Sequence, residues 1–247
     1  MKIGILGTGF MGKNLTRKLA AAGHKVKVAN SRGPETIGSD VLETGAQPAT
    51  AEEALKEAEV VILAMPHTGF DKIRPLVAAL PEHVVVIDIS NYFPGRDGVN
   101  PELEAGKVES EWVRDYFGRP VTKAWNNIGM VSFETRGKPK GDPDRIALPI
   151  AGDRKQDRDV ALELVEDTGF DGFDAGVLAD SWRQQPGSPV YITDLNYEEL
   201  GPALASAERE RLPRRRDLSA EVFAERVGER ASPDADTVVR IARALFM

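Results

Sequence analysis

The sequence predicts an α/β protein with a doubly wound parallel sheet, followed by a smaller C-terminal α/β and helical domain. Segments 2–6, 25–29, 59–64 and 84–88 have the composition of strands and are separated by helix-like segments. Apolar strands that alternate with helices are typical of a parallel sheet covered on both faces. Strand-like segments recur at 145–151 and 172–175, and Asp153 is predicted to be the N-cap of a helix that reaches about Thr168. An amphipathic helix is predicted at 234–246.

Composition excludes several classes of protein. The chain has 247 residues, no cysteine, and 32 Lys and Arg against 39 Asp and Glu, a formal charge of −7. An acidic chain is a poor partner for nucleic acid, and no apolar run approaches the roughly 18 residues of a membrane span. The first residues lead directly into a strand without the apolar core of a signal peptide. We therefore expect a cytoplasmic protein with no metal, no membrane partner and no nucleic acid partner.

A glycine-rich turn joins the first strand to the first helix. It reads G-x-G-x-x-G, and in a strand–turn–helix–strand unit of about 30 residues this pattern predicts a Rossmann domain that binds a dinucleotide. Gly7 allows the tight turn, Gly9 lets backbone N–H groups approach a pyrophosphate, and Gly12 lets the helix lie close to the strand. The predicted phosphate loop comprises Gly7, Thr8, Gly9, Phe10, Met11 and Gly12.

The end of the second strand indicates which dinucleotide is bound. Asn30, Ser31 and Arg32 stand where an NAD enzyme usually carries a carboxylate that binds the ribose hydroxyls. A hydroxyl and a guanidinium can instead bind a 2′-phosphate, so the cofactor is predicted to be NADP. The alternative is that Ser31 and Arg32 form a solvated turn before Pro34.

The nicotinamide end of the cofactor is expected beyond the next two strands, since ligands of such sheets bind outside the carboxyl ends of the strands. His67 invites a role as general base, but a histidine after a strand is more often a helix cap or a cofactor contact. Segment 92–98 is predicted to be an exposed loop. The residues expected near the nicotinamide are Ala64, Met65, Pro66, His67, Ser90 and Asn91, with Tyr92 beside them.

Several segments together resemble the coenzyme F-420-dependent NADP oxidoreductase family. They are 2–9 (KIGILGTG), 30–35 (NSRGPE), 121–128 (VTKAWNNI), 148–153 (LPIAGD) and 173–178 (FDAGVL). The resemblance implies that a Rossmann domain holds NADP and that a deazaflavin, coenzyme F-420, stacks on the nicotinamide and exchanges a hydride with it. It also implies that Thr8, Phe10 and Met11 line the phosphate loop, Ser31 and Arg32 the 2′-phosphate site, and Met65, Pro66 and His67 the nicotinamide pocket.

The second half of the chain is harder to interpret. We divide the chain into an NADP-binding domain at 1–122 and a C-terminal substrate and dimerisation region at 123–247. Lys123, Asn126, Arg183 and Gln184 are candidate substrate-binding residues, against the alternatives of a structural role or a packed loop. The helix at 234–246 could complete the core or bury a subunit surface, and a homodimer is expected.

Three functions are compatible with these patterns. The leading hypothesis is an NADP(H)-dependent oxidoreductase that transfers a hydride between NADPH and a deazaflavin or similar flat, small-molecule redox partner. Such a transfer needs aligned rings and exclusion of water, so no catalytic acid or base is predicted. The alternatives are a reductase of a small imine or carbonyl, as in the pyrroline-carboxylate reductase or hydroxyacid dehydrogenase families, and a non-catalytic NADP sensor.

Overall fold

The structure is a computed structural model that describes residues 1–227 and 234–247. Residues 228–233, part of the predicted C-terminal region, lie outside the described residues. The strands are β1 (Lys2–Leu6), β2 (Lys25–Ala29), β3 (Gln47–Pro48), β4 (Val60–Leu63), β5 (Val85–Asp88), β6 (Thr122–Lys123), β7 (Ala147–Gly152) and β8 (Asp171–Asp174). The helices are α1 (Phe10–Ala21), α2 (Ser39–Leu42), α3 (Ala51–Leu55), α4 (Phe70–Ala78), α5 (Pro94–Asp97), α6 (Pro101–Glu104), α7 (Glu109–Phe117), α8 (Met130–Thr135), α9 (Lys155–Asp167), α10 (Tyr197–Ala205), α11 (Leu212–Val227) and α12 (Ala235–Phe246). Short 3₁₀ helices lie at Pro34–Thr36, His67–Gly69, Leu178–Gln184 and Arg209–Arg211.

One sheet of eight strands runs through the described part of the chain, in the order β3-β2-β1-β4-β5-β6-β7-β8. The strand pairs are parallel, except that β6 and β7 are antiparallel. Helices cover both faces of this sheet, and this explains why β4 and β5 are apolar at successive positions instead of alternating with polar residues. The predicted α/β class and doubly wound sheet are confirmed.

The core has two layers, one on each face of the sheet. Ile5, Ile62 and Ile87 point towards the layer that contains α1 and α9, and all three are fully buried. Val61 and Val86 point the opposite way, towards α4 and α7. Successive side chains of a strand face opposite sides, so each strand contributes to both layers. Because β1, β4 and β5 are parallel, their carboxyl ends lie at the same edge of the sheet.

Two local predictions were wrong. Segment 92–98 is not an exposed loop: Tyr92 is 4% exposed, and the following residues form α5. Asp153 does not cap α9, whose N-cap is Arg154. The Asp153 carboxylate instead accepts a hydrogen bond from the backbone N–H of Leu178, 3.0 Å away. Both errors arise because contacts between distant segments outweigh local preferences.

The C-terminal region extends the same sheet. The predicted domain boundary between residues 122 and 123 falls inside β6, so hydrogen-bonded strands continue on both sides of it. At the end of the chain, α12 packs on α11, and its Ala242 and Phe246 are buried against Tyr191. The apolar face of α12 thus covers part of the core, and the homodimer stays a prediction. Within residues 1–227 and 234–247, no helix is long and apolar enough to cross a membrane.

Candidate functional site

A cavity of about 740 Å³ lies at the carboxyl edge of the sheet. One side is formed by the segments that follow β1, β4 and β5, and the other by α8, α11, α12 and the loop around Tyr191. Of the predicted cofactor residues, Gly9, Phe10, Met11, Ala64, Met65, Pro66, Ser90 and Asn91 line it. Gly7, Thr8, Gly12, Asn30, Ser31, Arg32 and His67 are not among the lining residues.

Two glycines of the turn have no room for a side chain, and one has room. A Cβ atom on Gly7, whose φ is +117°, would overlap the carbonyl oxygen of Ala64, and one on Gly12 would overlap the carbonyl oxygen of Gly7. A Cβ atom on Gly9 would meet nothing within 4 Å. Gly9 is the N-cap of α1, whose first turn has neither a side-chain cap nor an acidic residue. We call the open space at Gly9 and the free backbone amides at the start of α1 the cradle. This arrangement accepts a phosphate group.

The turn after β2 is ordered by Asn30. Its side-chain oxygen accepts a hydrogen bond from the Arg32 backbone N–H at 2.9 Å, and its side-chain nitrogen donates to the Thr36 hydroxyl at 2.9 Å. Ser31 and Arg32 are exposed, and neither side chain forms a hydrogen bond or ion pair within the described ranges. Asn30 therefore shapes the turn, while the hydroxyl and the guanidinium beside it are available to a ligand.

Three amide side chains join the two halves of the chain at the cavity. The Asn126 side chain donates to the Asn91 side-chain oxygen at 3.1 Å and to the Gln184 carbonyl at 2.8 Å. Gln184 in turn donates to the Asn126 side-chain oxygen at 2.9 Å. Asn126 lines the cavity, whereas Gln184 is 1% exposed and holds Asn126 from behind. Gln184 is thus placed to orient a cavity residue and not to touch a substrate.

The other two predicted substrate residues do not line the cavity. Lys123 is fully buried, and its Nζ lies 2.7 Å from Asp88 Oδ2, 3.2 Å from Glu109 Oε1 and 2.5 Å from the Ser90 carbonyl. Burial opposes the charge of Lys123, but the two carboxylates outweigh it and raise the pKa of Lys123. Arg183 lies over the Trp182 ring, 4.4 Å from its centroid, and donates to the Leu204 carbonyl. Both cations are therefore occupied by the protein itself.

His67 lies behind the cavity wall. Its Nε2 is 3.0 Å from Ser90 Oγ and 3.8 Å from Glu109 Oε1, and its ring stacks on Trp112. Burial lowers the pKa of His67, although Glu109 and Asp88 act in the opposite direction. The imidazole is therefore neutral near pH 7. Its hydrogen bond with the Ser90 hydroxyl links it to the cavity, an arrangement unlike that of a general base in contact with its substrate.

The lowered pKa of His67 predicts a pH dependence of stability. Between the usual histidine pKa of 6.5 and the lower value in the folded state, the unfolded chain binds more protons. The free energy of unfolding should therefore be highest above this window and fall as the pH falls through it. Urea unfolding at about pH 7.5 and about pH 5.5 measures the difference. His67→Gln should reduce it, and the exposed His83→Gln should not; a full difference in His67→Gln would contradict the assignment.

Some site residues were missed by the sequence reasoning. Glu109 is the first residue of α7 and is 2% exposed, and Tyr191 lies in a segment with neither strand nor helix periodicity. Trp125, which also lines the cavity, has a left-handed φ of +54° that no sequence pattern indicated. Only the three-dimensional arrangement shows that these residues belong to the site. Across the described residues, no cluster of three or more His, Asp and Glu could hold a metal ion.

Comparison with known families agrees with this geometry. The family model described as NADP oxidoreductase, coenzyme F420-dependent, matches residues 2–92. Residues 2–92 are therefore similar to that family. The resemblance found in the sequence is therefore confirmed for the segment that carries the glycine turn and the strands β1 to β5.

Solved structures extend the likeness in fold beyond residue 92. A hypothetical protein, SMa0349 from Sinorhizobium meliloti, is 28% identical with a TM-score of 0.66, covering 79% of this chain and 95% of that one. A candidate F420-dependent NADP reductase from Arthrobacter sp. FB24 is 23% identical with a TM-score of 0.55, covering 73% and 87%. Glycerol-3-phosphate dehydrogenase from Coxiella burnetii is 15% identical with a TM-score of 0.56, covering 98% and 74%. The last two show a shared fold alone.

Curated relatives match over shorter shares of their own length. Protein YjhV of Escherichia coli (strain K12) is 46% identical over 56 residues, which is 23% of this chain and 41% of YjhV. The metalloreductase STEAP3 of Rattus norvegicus is 27% identical over 181 residues, which is 73% of this chain and 35% of STEAP3. The chain thus spans less than half the length of either relative.

Proposed function

We propose that the protein transfers a hydride directly between NADPH and a deazaflavin or a similar flat redox partner. The observation that carries the proposal is the open cradle at Gly9, which lines the cavity at the carboxyl edge. It is supported by the exposed Ser31 and Arg32, whose side chains have no partner among the described residues. The cradle fits a dinucleotide because a phosphate can approach the first amides of α1 where any side chain at Gly9 would stand.

Each group of residues has a separate role in this proposal. Amides at the start of α1 hold the pyrophosphate, and Ser31 and Arg32 hold the 2′-phosphate that distinguishes NADP from NAD. Met65, Pro66, Ser90 and Asn91 border the nicotinamide, which supplies the hydride when NADPH is bound. Asn126 keeps Asn91 in place through their mutual hydrogen bonds.

The remaining part of the cavity suits a flat second substrate. Its volume of about 740 Å³ lies within the range of typical ligand sites. Apolar side chains of α8, α11 and α12, including Met130, Phe223 and Val238, face the nucleotide edge across it. They would exclude water and hold an aromatic ring by contact, which a direct hydride transfer requires more than an acid or a base.

Exchange of Arg32 for glutamate tests the choice of NADP. The variant loses a charge-assisted hydrogen bond and places a carboxylate beside the 2′-phosphate, so binding of NADPH should weaken by about 2–3 kcal/mol, or about 30- to 150-fold in Kd. Binding of NADH should hardly change. Both constants are measured by titration of nicotinamide fluorescence. Arg211→Glu, the same charge change at an exposed position, is the control, and equal losses for both nucleotides in Arg32→Glu would contradict the proposal.

The acceptor is tested by an assay of NADPH oxidation. Deazaflavin, flavins, ferric chelates and small imines are offered to the wild-type protein under identical conditions. Turnover should be fastest with deazaflavin or another flat ring. Rapid turnover with an imine alone would replace the proposal by an imine reductase, and tight NADPH binding without any turnover would favour an NADP sensor.

A further inference from the structure

The polar side chains that line the cavity differ in whether they have a hydrogen-bond partner within the protein. All but one of those on described residues have a hydrogen-bond partner inside the protein. The partnered pairs are Ser90 with His67, Asn91 with Asn126, Arg96 with Asp97, Trp125 with Thr168, Asn126 with Gln184, and Ser132 with Asp194. The exception is Tyr191, whose hydroxyl bonds to no described residue. It is therefore left to interact with a molecule in the cavity.

Tyr191 is nearly enclosed by the protein. It is 7% exposed, and its ring packs against Phe246 of α12, with the ring centroids 6.2 Å apart. Among the described residues the hydroxyl has no hydrogen-bond acceptor, so an oxygen of a ligand in the cavity can supply one. Burial raises the pKa of Tyr191, so the phenol keeps its proton and acts as a donor.

The segment that carries Tyr191 is held rigidly. The Ile192 backbone N–H donates to the Asn127 carbonyl at 2.6 Å, and the Asn127 side chain donates to the Val190 carbonyl at 3.1 Å. Ile192 has a left-handed φ of +59°, an unfavourable conformation for a β-branched residue. From the other side, Arg243 of α12 donates to the Thr193 carbonyl at 2.8 Å. Strain that is retained beside a cavity is typical of preorganised functional sites.

The charge of the cavity restricts what Tyr191 can meet. No Asp or Glu is among the described residues that line it, and the charged residue that does is Arg96, which is paired with Asp97 at 2.8 Å. A cation placed here would lose its hydration without gaining a carboxylate partner. An uncharged or anionic ligand avoids this cost. A carbonyl oxygen on such a ligand would accept the phenol hydrogen bond.

We propose that Tyr191 is the hydrogen-bond donor that recognises a carbonyl-type oxygen of the hydride acceptor, and that the cavity accordingly takes uncharged or anionic conjugated rings and rejects iminium ions. This inference rests on the proposed hydride transfer and names its acceptor class. The hydride leaves NADPH as two electrons and a proton and forms a C–H bond on the acceptor. The electron pair of the conjugated system moves onto the carbonyl oxygen, where the phenol stabilises it. Water supplies the proton that completes the reduction once the reduced ring has left the cavity.

Tyr191→Phe tests the inference, since it removes only the hydroxyl. The probes are 8-hydroxy-5-deazariboflavin and lumiflavin, titrated by fluorescence into the NADP⁺-loaded protein. The Kd of each ring that binds the wild type should rise about 3- to 10-fold in the variant, while the Kd of NADPH stays the same. With a ring that is turned over, kcat/KM should fall about 10- to 100-fold. N-methyl-1-pyrrolinium, a permanent iminium, should not compete with either ring.

Tyr197→Phe is the matched control, because Tyr197 is 53% exposed and lies away from the cavity. It should leave all constants unchanged. Wild-type ring affinity in Tyr191→Phe, or competition by the iminium, would overturn the inference. So would failure of both rings to bind the wild type. The NADPH titration of Arg32→Glu tests the nucleotide part of the proposed function independently. A failure of NADP binding can therefore be distinguished from a failure of the inference about Tyr191.

Discussion

Replacement of Lys123 by methionine should lower the free energy of unfolding by about 3–5 kcal/mol. The substitution keeps the length of the side chain but removes the cation between Asp88 and Glu109, which are 0% and 2% exposed. Two carboxylates would then be buried without their partner, and the cost of removing a charge from water is no longer offset. Removal of one partner of a buried ion pair is among the costliest classes of single substitution.

Equilibrium unfolding in urea measures the loss. Lys155→Met is the matched control, since Lys155 pairs with Asp159 on the surface of α9 and is 74% exposed; its loss should be about 0.5 kcal/mol or less. Adding Glu109→Gln to Lys123→Met should recover part of the stability by removing one of the unpaired charges. A loss below about 1 kcal/mol in Lys123→Met would show that the buried cluster is not held by its charges.

The cluster also bears on the site. Lys123 contacts the Ser90 carbonyl, and Asp88 accepts a hydrogen bond from the Ser90 backbone N–H at 2.9 Å. The segment after β5, which forms one wall of the cavity, is thus tied to buried charges. In the folded fraction of Lys123→Met, we therefore expect ligand binding at this wall to weaken as well.

Gly9→Val should abolish most NADPH binding while the fold survives. At φ −66° and ψ 180° the position accepts a side chain, and its Cβ would meet no atom of the protein within 4 Å. The valine would instead occupy the space through which a pyrophosphate reaches the amides of α1. Loss of these charge-assisted bonds should raise the Kd by about 100-fold or more. The free energy of unfolding should fall by only about 1 kcal/mol.

Gly12→Ala gives the opposite pattern and serves as the comparison. Its Cβ would overlap the Gly7 carbonyl oxygen and lie 3.1 Å from the Ala64 Cβ, so α1 must shift away from the sheet. We expect a loss of about 1–3 kcal/mol in stability, measured by urea unfolding. Fluorescence titration with NADPH completes the test. Unchanged NADPH affinity in a folded Gly9→Val protein would show that the cradle is not the pyrophosphate site.

Local patterns predicted the nucleotide-binding half well. The turn from Gly7 to Gly12 and the strand β4 depend on residues a few positions apart. Their periodicity and spacing are therefore readable in one sequence. The errors at Tyr92 and Asp153 have the opposite origin: Arg216 lies over the Tyr92 ring and the Leu178 N–H donates to Asp153, and neither contact can be read from the neighbouring residues.

The sequence by itself determined the sheet class, the resemblance of residues 2–92 to the matched family and the glycine turn, because these follow from short-range sterics and hydrogen bonding. Only the tertiary structure decided that Lys123 is an internal ion-pair partner instead of a substrate contact, and that Tyr191 lines the cavity with a hydroxyl that has no partner among the described residues. Charge and burial depend on which distant segments meet: Glu109 is 14 positions from Lys123, and Asp88 is 35. Whether a polar group can bind a ligand depends on the residues around it, and only folding brings those residues together.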